Sequence, residues 1–356
     1  MRIYSDRTVD QEFADLGTLG FTGFLNDRQI AYLKSYGLMG SLSDLMGKKP
    51  SLVLDFINFS VPSSITFSRS SSANYFNSSG VLTSAATNTP RIDYDPVSLQ
   101  KKGLLIESAR SNLFLNSATP ATQDIAVTAQ SYALSFRGTG SITLSGAHSA
   151  VVTGSGASAK TTLVFTPTAG TLTLTLSGSV IEPQLEAGTC ATSHIVTAGT
   201  ATARSDDRAS LALSSWWNAA EGTFLVDWQD INYISGATRV LAANGATTII
   251  NLFGNVAPNN SNQLQAFNTS VALTRNHGAD VTKGTRRAAM AYSAAGRSLA
   301  FGGVVSTDAN LLALTTLTTL YLGHSDAFTL PINGYLRRVA YWPRRLSDAE
   351  LVVMTT

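Results

Sequence analysis

The chain has 356 residues, enough for two or three domains each with its own core. Only 13% of its residues are charged and the formal net charge is +2, which argues against a globally basic nucleic-acid or membrane-surface footprint. A single cysteine, Cys190, excludes an intramolecular disulfide, and no apolar run reaches the roughly 18 residues of a membrane-spanning helix.

Residues 1–50 form the one clearly helical segment in the pattern. Its first residues, MRIYSDRTVDQEFADLG, lack the apolar stretch of a secretory signal. Asn26 is an N-cap for a helix through Tyr36 with Gly37 just past its end, and Ser41 or Ser43 opens a second turn toward Met46. Phe21, Phe24, Leu25, Leu38, Leu42 and Leu45 are more apolar surface than two short helices can bury alone. They must dock on the rest of the chain or on a partner.

From Leu52 onward the period is two. Leu52, Leu54 and Phe56 alternate as a half-buried strand, and Asn77-Ser78-Ser79-Gly80 is a turn whose glycine can take positive φ. Pro90 and Pro96 bracket an extended segment, Arg91 to Asp95, leading into an Asx-type turn, and Gly103 to Ile106 is a short apolar strand. Residues 118–200 hold five charged residues (Asp124, Arg137, Lys160, Glu182, Glu186) among alternating strands such as Tyr132/Leu134/Phe136 and Leu172/Leu174/Leu176. Glycines punctuate them, the pattern of an antiparallel sandwich. Residues 51–200 are therefore expected to be one domain, 201–210 a linker with Arg204, Asp206, Asp207 and Arg208, and 211–356 a second sandwich. In that last span Phe224/Val226/Trp228 read as a strand, Gly302-Gly303 as a two-residue hairpin, and Tyr335–Trp342 as a final strand. Ser347 and Glu350 form a capping box for a helix over 347–354. The expected class is all-β: two antiparallel β-sandwich (jelly-roll) domains with a short helical N-terminal segment.

Catalytic chemistry finds little support. Asp93/Asp95, Glu182/Glu186 and Asp227/Asp230 are the nearby carboxylate pairs a glycosidase would need, and each also has a structural reading. There is no G-x-S-x-G elbow, and His148, His194, His277 and His324 stand apart with no metal-ligand spacing. The chain is expected not to be an enzyme.

Two stretches are more specific. Thr66 to Ser117 contains F-x-R-x-S-x-A-x-Y (Phe67, Arg69, Ser71, Ala73, Tyr75), then N-x-P-R-x-D-Y-D-P (Asn88 to Pro96) and G-L-L-I-E-x-x-R-x-N-L (Gly103 to Leu113). Ile181 to Gly199 contains P-Q-L-E-A-G-x-x-A-T-S (Pro183 to Ser193). Together they resemble a cassette of tailed-phage and prophage virion proteins, and with the intervening sandwich they cover about half the chain. His194 falls where that motif usually has tyrosine. The end of the chain, Ile332-Asn-Gly-Tyr-Leu-Arg-Arg-Val-Ala-Tyr-Trp-Pro-Arg-Arg-Leu-Ser-Asp-Ala-Glu-Leu351, resembles laminin-G-like and concanavalin-A-like lectin domains. The resemblance implies a tail-fibre or receptor-binding protein of the virion, assembled in the bacterial cytoplasm. It further implies attachment to other virion proteins through residues 1–50, a homo-oligomer (most plausibly a trimer), and a host surface polysaccharide as partner. A purely structural tail, baseplate or capsid fibre subunit and a capsule depolymerase are the rivals. No cofactor is expected; calcium often sits at a rim of laminin-G-like domains, where Asp308, Asn310 or Asp326 could supply oxygen, but no Asp-rich run makes this specific.

Sugar recognition needs an aromatic face with polar groups around it. Trp216 and Trp217 are the first candidates, on the expectation that they lie on a strand with one ring in the core and the other exposed. Tyr233, His324 and Asp326 follow, with Trp342 and the Asn-rich stretch Asn255 to Asn262 behind them.

Overall fold

The computed structural model describes residues 50–230, 238–245, 249–256, 261–267, 272–276, 284–309, 317–325, 328 and 331–356. The expected N-terminal helices and attachment segment, with Tyr233, Asn310 and Asp326, lie outside the described residues. The fold is all-β, as the alternation required, with one helix among the described residues, Asp348–Thr355. Ser347 caps it, and Ser347 and Glu350 exchange the two hydrogen bonds of a capping box. Ser347→Ala is expected to cost about 1 kcal/mol in thermal unfolding.

Among the described residues the strands form two sandwiches. In the larger one, Gly222–Asp230 lies between Thr285–Ser293 and Gly334–Trp342 in an eight-stranded sheet. Facing it is a seven-stranded sheet that includes Arg208–Ala212, Leu317–Leu322 and Thr238–Gly245. Phe224, Val226, Trp228, Met290, Val339 and Tyr341 from the first sheet meet Leu211, Val240, Leu241, Leu320 and Leu322 from the second in one buried core. The intervening residues of the first sheet are small: Ala289, Ala291, Ala300 and Ala340 let the C-terminal helix approach the sheet's outer face through Leu351 and Met354. Trp342 is buried there and Trp228 in the main core, so neither ring is a surface platform.

The smaller sandwich packs the four-stranded sheet of Ala150–Thr153, Ser141–Gly146, Gly170–Ser177 and Gln123–Val127 on the three-stranded sheet of Gly156–Phe165, Tyr132–Gly138 and Ile181–Ala187. Tyr132, Leu134, Phe136, Leu172 and Leu174 fill its core, as their period-two spacing required.

The strand pairings divide the chain differently from the expected 51–200 and 211–356. Leu52–Asp55 and Lys101–Ile106 pair with successive parts of Gly334–Trp342 (Leu54 opposite Val339, Leu105 opposite Tyr335), and Thr66–Ser68 pairs with Arg208–Ala212. The first cassette stretch thus belongs to the larger sandwich, and the smaller sandwich is inserted between its strands. Local alternation sets a strand's faces, but which edge it joins is decided by long-range packing. The expected linker 201–210 is likewise structured. Thr202–Arg204 pairs with Arg110–Asn112, while Arg204 and Asp207 are buried.

Those two residues belong to a buried ionic node. Arg91 Nη2 donates to Glu107 Oε2 (2.8 Å) and to Asp207 Oδ2, and Arg69 Nη1 donates to Asp207 Oδ1 (2.9 Å). Arg204 stands 3.5 Å from both carboxylates. Ser193, from the second cassette stretch, donates its amide N–H and hydroxyl to Glu107 at 2.5 and 2.6 Å. Three guanidiniums, two carboxylates and a serine thereby tie the start of the larger sandwich, the exit from the smaller one and the supposed linker together. Burial alone would raise the Glu107 carboxyl, but Arg204, Arg91 and the Ser193 hydrogen bonds hold it at about 2.

A candidate binding cleft between the sandwiches

A cleft of about 290 Å³ opens where the sandwiches meet, close to the ionic node. The larger sandwich contributes Asp93, Asp95, Lys102 and Tyr335, a two-stranded hairpin beside it Asn74, Tyr75 and Phe76, and the smaller sandwich Arg137, Ser158, Lys160 and Glu182. Local sequence explains how each wall forms. Asn74 to Phe76 lie on a hairpin closed by Asn77 and Gly80, whose φ of 72° suits a glycine, as the turn pattern required. Asp95 accepts from the Val97 and Ser98 amides at 3.0 and 2.9 Å, the expected Asx turn.

The opposite wall is made by two irregularities flanking one strand. Beside Arg137 the register of Gly156–Phe165 shifts between Gly156 and Thr161, and that of Ile181–Ala187 shifts between Ile181 and Gln184. Such bulges re-aim side chains, and here they supply Ser158, Lys160 and Glu182 to the cleft. Glu182 takes φ 53°, a conformation costly for a residue with a side chain. Arg137 holds this wall in place. It donates through Nη1 to Ala157 O (3.1 Å) and Ser158 O (2.8 Å), lies 3.3 Å from Glu182, and sits 5.0 Å from the Phe76 ring centroid.

Buried polar groups form the floor. Asp93 accepts from the Phe76 amide and the Tyr335 hydroxyl, both at 2.7 Å. Burial nonetheless raises its carboxyl above the aspartate range, outweighing Tyr335, Lys102 and the Phe76 N–H. The Lys160 ammonium donates to Thr192 O (2.6 Å), and burial pulls its pKa down against the attraction of Glu186. His194 is buried, with Nε2 3.2 Å from Ser117 Oγ. Burial first, then Lys160 and Arg137, lowers its pKa to about 3, so the ring is neutral at physiological pH.

The residues singled out from sequence lie elsewhere or play other parts. Trp216 and Trp217 fall in a turn after Arg208–Ala212, not on a strand, and both are half-buried. Trp217 stacks on Tyr341 with centroids 5.1 Å apart, and Trp216 meets the same ring edge-on at 5.3 Å while donating Nε1–H to Ala212 O. The expectation of one core ring and one free ring gives way to a shared aromatic cluster, because a turn does not alternate its side chains as a strand does. His324 is buried and bound to backbone on both nitrogens, Nδ1 to Ser325 O at 2.6 Å and Nε2 to the Ala209 amide at 2.9 Å. It fastens its loop to the strand Arg208–Ala212. Asp308 is engaged by Arg297 at 2.7 Å, and among the described residues no cluster of three or more His, Cys, Asp or Glu could hold a metal. The cleft residues gave no combined signal in the sequence because they come from both sandwiches. In the sequence Glu182 pairs with Glu186 and Asp93 with Asp95, each within its own short stretch.

No protein-family model and no curated protein matches the chain. Among solved structures it is similar to the "Ruminococcus gnavus IT-sialidase CBM40" at 17% identity and a TM-score of 0.33, over 38% of this chain and 83% of that one. It is similar to domain 4 of AbnA, a GH43 extracellular arabinanase from Geobacillus stearothermophilus, at 12% identity and a TM-score of 0.34, over 42% and 73%. A SAP-like pentraxin from Limulus polyphemus matches at 8% identity and a TM-score of 0.30, over 39% and 70%. Likeness this loose assigns no ligand.

Proposed function

We propose that this protein is a glycan-binding virion protein of a tailed phage or prophage, and that the cleft between its sandwiches holds the sugar. The observation behind the binding reading is the cleft itself: the Tyr75 and Phe76 rings stand among convergent polar groups from two rigid walls, the combination sugar rings require. The virion assignment, attachment through residues 1–50 and a homo-oligomeric state rest on the cassette resemblance. A binding protein rather than an enzyme is preferred because the carboxylates are engaged, Glu182 by Arg137 and Asp93 by Tyr335 and the Phe76 amide.

Phe76→Ala is expected to weaken binding of isolated host polysaccharide about ten- to hundredfold, the scale of losing one stacking ring. Trp216→Ala should leave it unchanged. Calorimetric titration of the two variants against the parent decides: loss with Trp216→Ala alone would move the site to the aromatic cluster. The absence of any glycan binding would favour the structural-subunit reading. One feature supports a depolymerase as second reading, since Asp93, with its raised carboxyl, and Glu182 face one cleft from different walls. Release of reducing ends from host polysaccharide by the intact chain, abolished by Asp93→Asn, would establish it.

A further inference from the structure

A second cavity of about 240 Å³ lies beside the cleft, bounded by Ser72, Ser84, Ile195, Thr202, Ala203 and Arg204, and the two share Asn74 and His194. Asn74 Nδ2 donates to His194 O at 3.0 Å, so this pair forms a sill between them. Ligand sites generally occupy about 300 Å³ or more. Each cavity alone falls just short of that range, and together they pass it.

The chemistry of both walls is that of an uncharged ligand. The cleft sets three cations (Lys102, Arg137, Lys160) against three carboxyls (Asp93, Asp95, Glu182), and each is already engaged: Arg137 with Glu182 at 3.3 Å, Lys102 with Asp95 at 3.7 Å, Lys160 with Thr192 O at 2.6 Å and Asp93 with the Tyr335 hydroxyl at 2.7 Å. In the smaller cavity the one charged group, Arg204, is committed to Glu107, Asp207 and Ser108 O. A charged ligand would have to break existing pairs to be held, whereas hydroxyls can bond around them.

At the sill one polar atom is without a partner. His194 Nδ1 is buried and makes no hydrogen bond. Ser117 Oγ already accepts from the Thr197 amide at 2.9 Å, which leaves its hydroxyl proton for His194 Nε2. With that hydroxyl donating to Nε2, the ring proton lies on Nδ1, a buried donor with no protein partner.

We propose that the two cavities are adjoining subsites of one groove that takes an uncharged oligosaccharide of at least two rings, bridged over Asn74 and His194. This rests on the glycan-binding reading above. The test is calorimetric titration of the intact chain with neutral gluco-, manno- and galacto-oligosaccharides of one to four units, beside sialyllactose and oligogalacturonate. For the neutral series that binds, affinity is expected to rise at least tenfold from one unit to three. Ala203→Trp and Ser84→Trp, at two exposed positions of the smaller cavity, are expected to bring the trimer-to-monomer affinity ratio toward one. A flat length dependence, a ratio untouched by both substitutions, or a preference for the acidic sugars overturns the two-subsite groove while leaving glycan binding in place. Failure of every sugar to bind removes both.

Discussion

Arg91→Ala is expected to destabilise the protein by about 3–5 kcal/mol, because it strips a buried carboxylate pair of its shared cation. Arg91 is fully buried, with Nη2 on Glu107 and Asp207 and Nη1 on Asn74 O (2.9 Å) and Ser193 Oγ (2.7 Å). Its removal leaves Glu107 with Arg204 at 3.5 Å as its remaining cation beside the Ser193 hydrogen bonds, and Asp207 with Arg69 and Arg204. Arg91→Lys should rescue little, since a single ammonium cannot span four acceptors that a planar fork reaches from both ends. The surface pair Arg208–Asp206 provides the contrast. The Arg208 side chain is 53% exposed, so Arg208→Ala should stay within about 0.5 kcal/mol. Melting temperature and urea midpoint measured on all three variants check this. At about 2–4 °C per kcal/mol for domains of this size, Arg91→Ala should lower the melting temperature by roughly 10 °C. A fall no larger than that of Arg208→Ala would show that the node contributes nothing net.

The same residues show what was legible in the sequence. Period-two alternation located the strands of both sandwiches, and the short-range chemistry of Asn77–Gly80, Asp95, Gly302-Gly303 and Ser347/Glu350 appears in the structure as expected, with Gly302 and Gly303 at φ 56° and 71°. These features depend on residues a few positions apart. Arg69, Arg91, Glu107, Ser193 and Asp207 were visible as motif or linker residues, but their meeting was not, because Arg69 and Asp207 are 138 positions apart. The clustered charge of the 201–210 stretch suggested a linker, yet burial with matched partners is the other solution open to such residues, and here it applies. The cleft was hidden for the same reason. Its walls come from two sandwiches, and the bulges flanking Arg137 interrupt the alternation that made the neighbouring strands easy to see. The tryptophans drew attention by size, and size served packing.

Acid should loosen the junction, and His194 is expected to contribute from the onset. Its folded pKa of about 3 lies below the unfolded value of 6.5. The folded state therefore binds the proton less readily than the unfolded chain. Stability from this group is complete above pH 6.5 and is lost as pH falls toward 3, at up to about 1.4 kcal/mol per pH unit. Glu107 acts in the same direction over a lower window, from its unfolded 4.5 down to about 2. Asp93 and Glu186 act oppositely, because burial raises both carboxyls and their ionisation at higher pH costs stability. Burial also lowers the pKa of His324, so that ring acts in the same direction as His194. Between pH 7 and pH 5 the contribution of His194 to the unfolding free energy is expected to fall by roughly 2 kcal/mol. His194→Gln, which cannot titrate, should be less stable at pH 7 and markedly flatter across that interval. Urea unfolding at pH 7, 6 and 5 for both proteins makes the comparison, and parallel slopes would remove His194 as the acid-sensitive element.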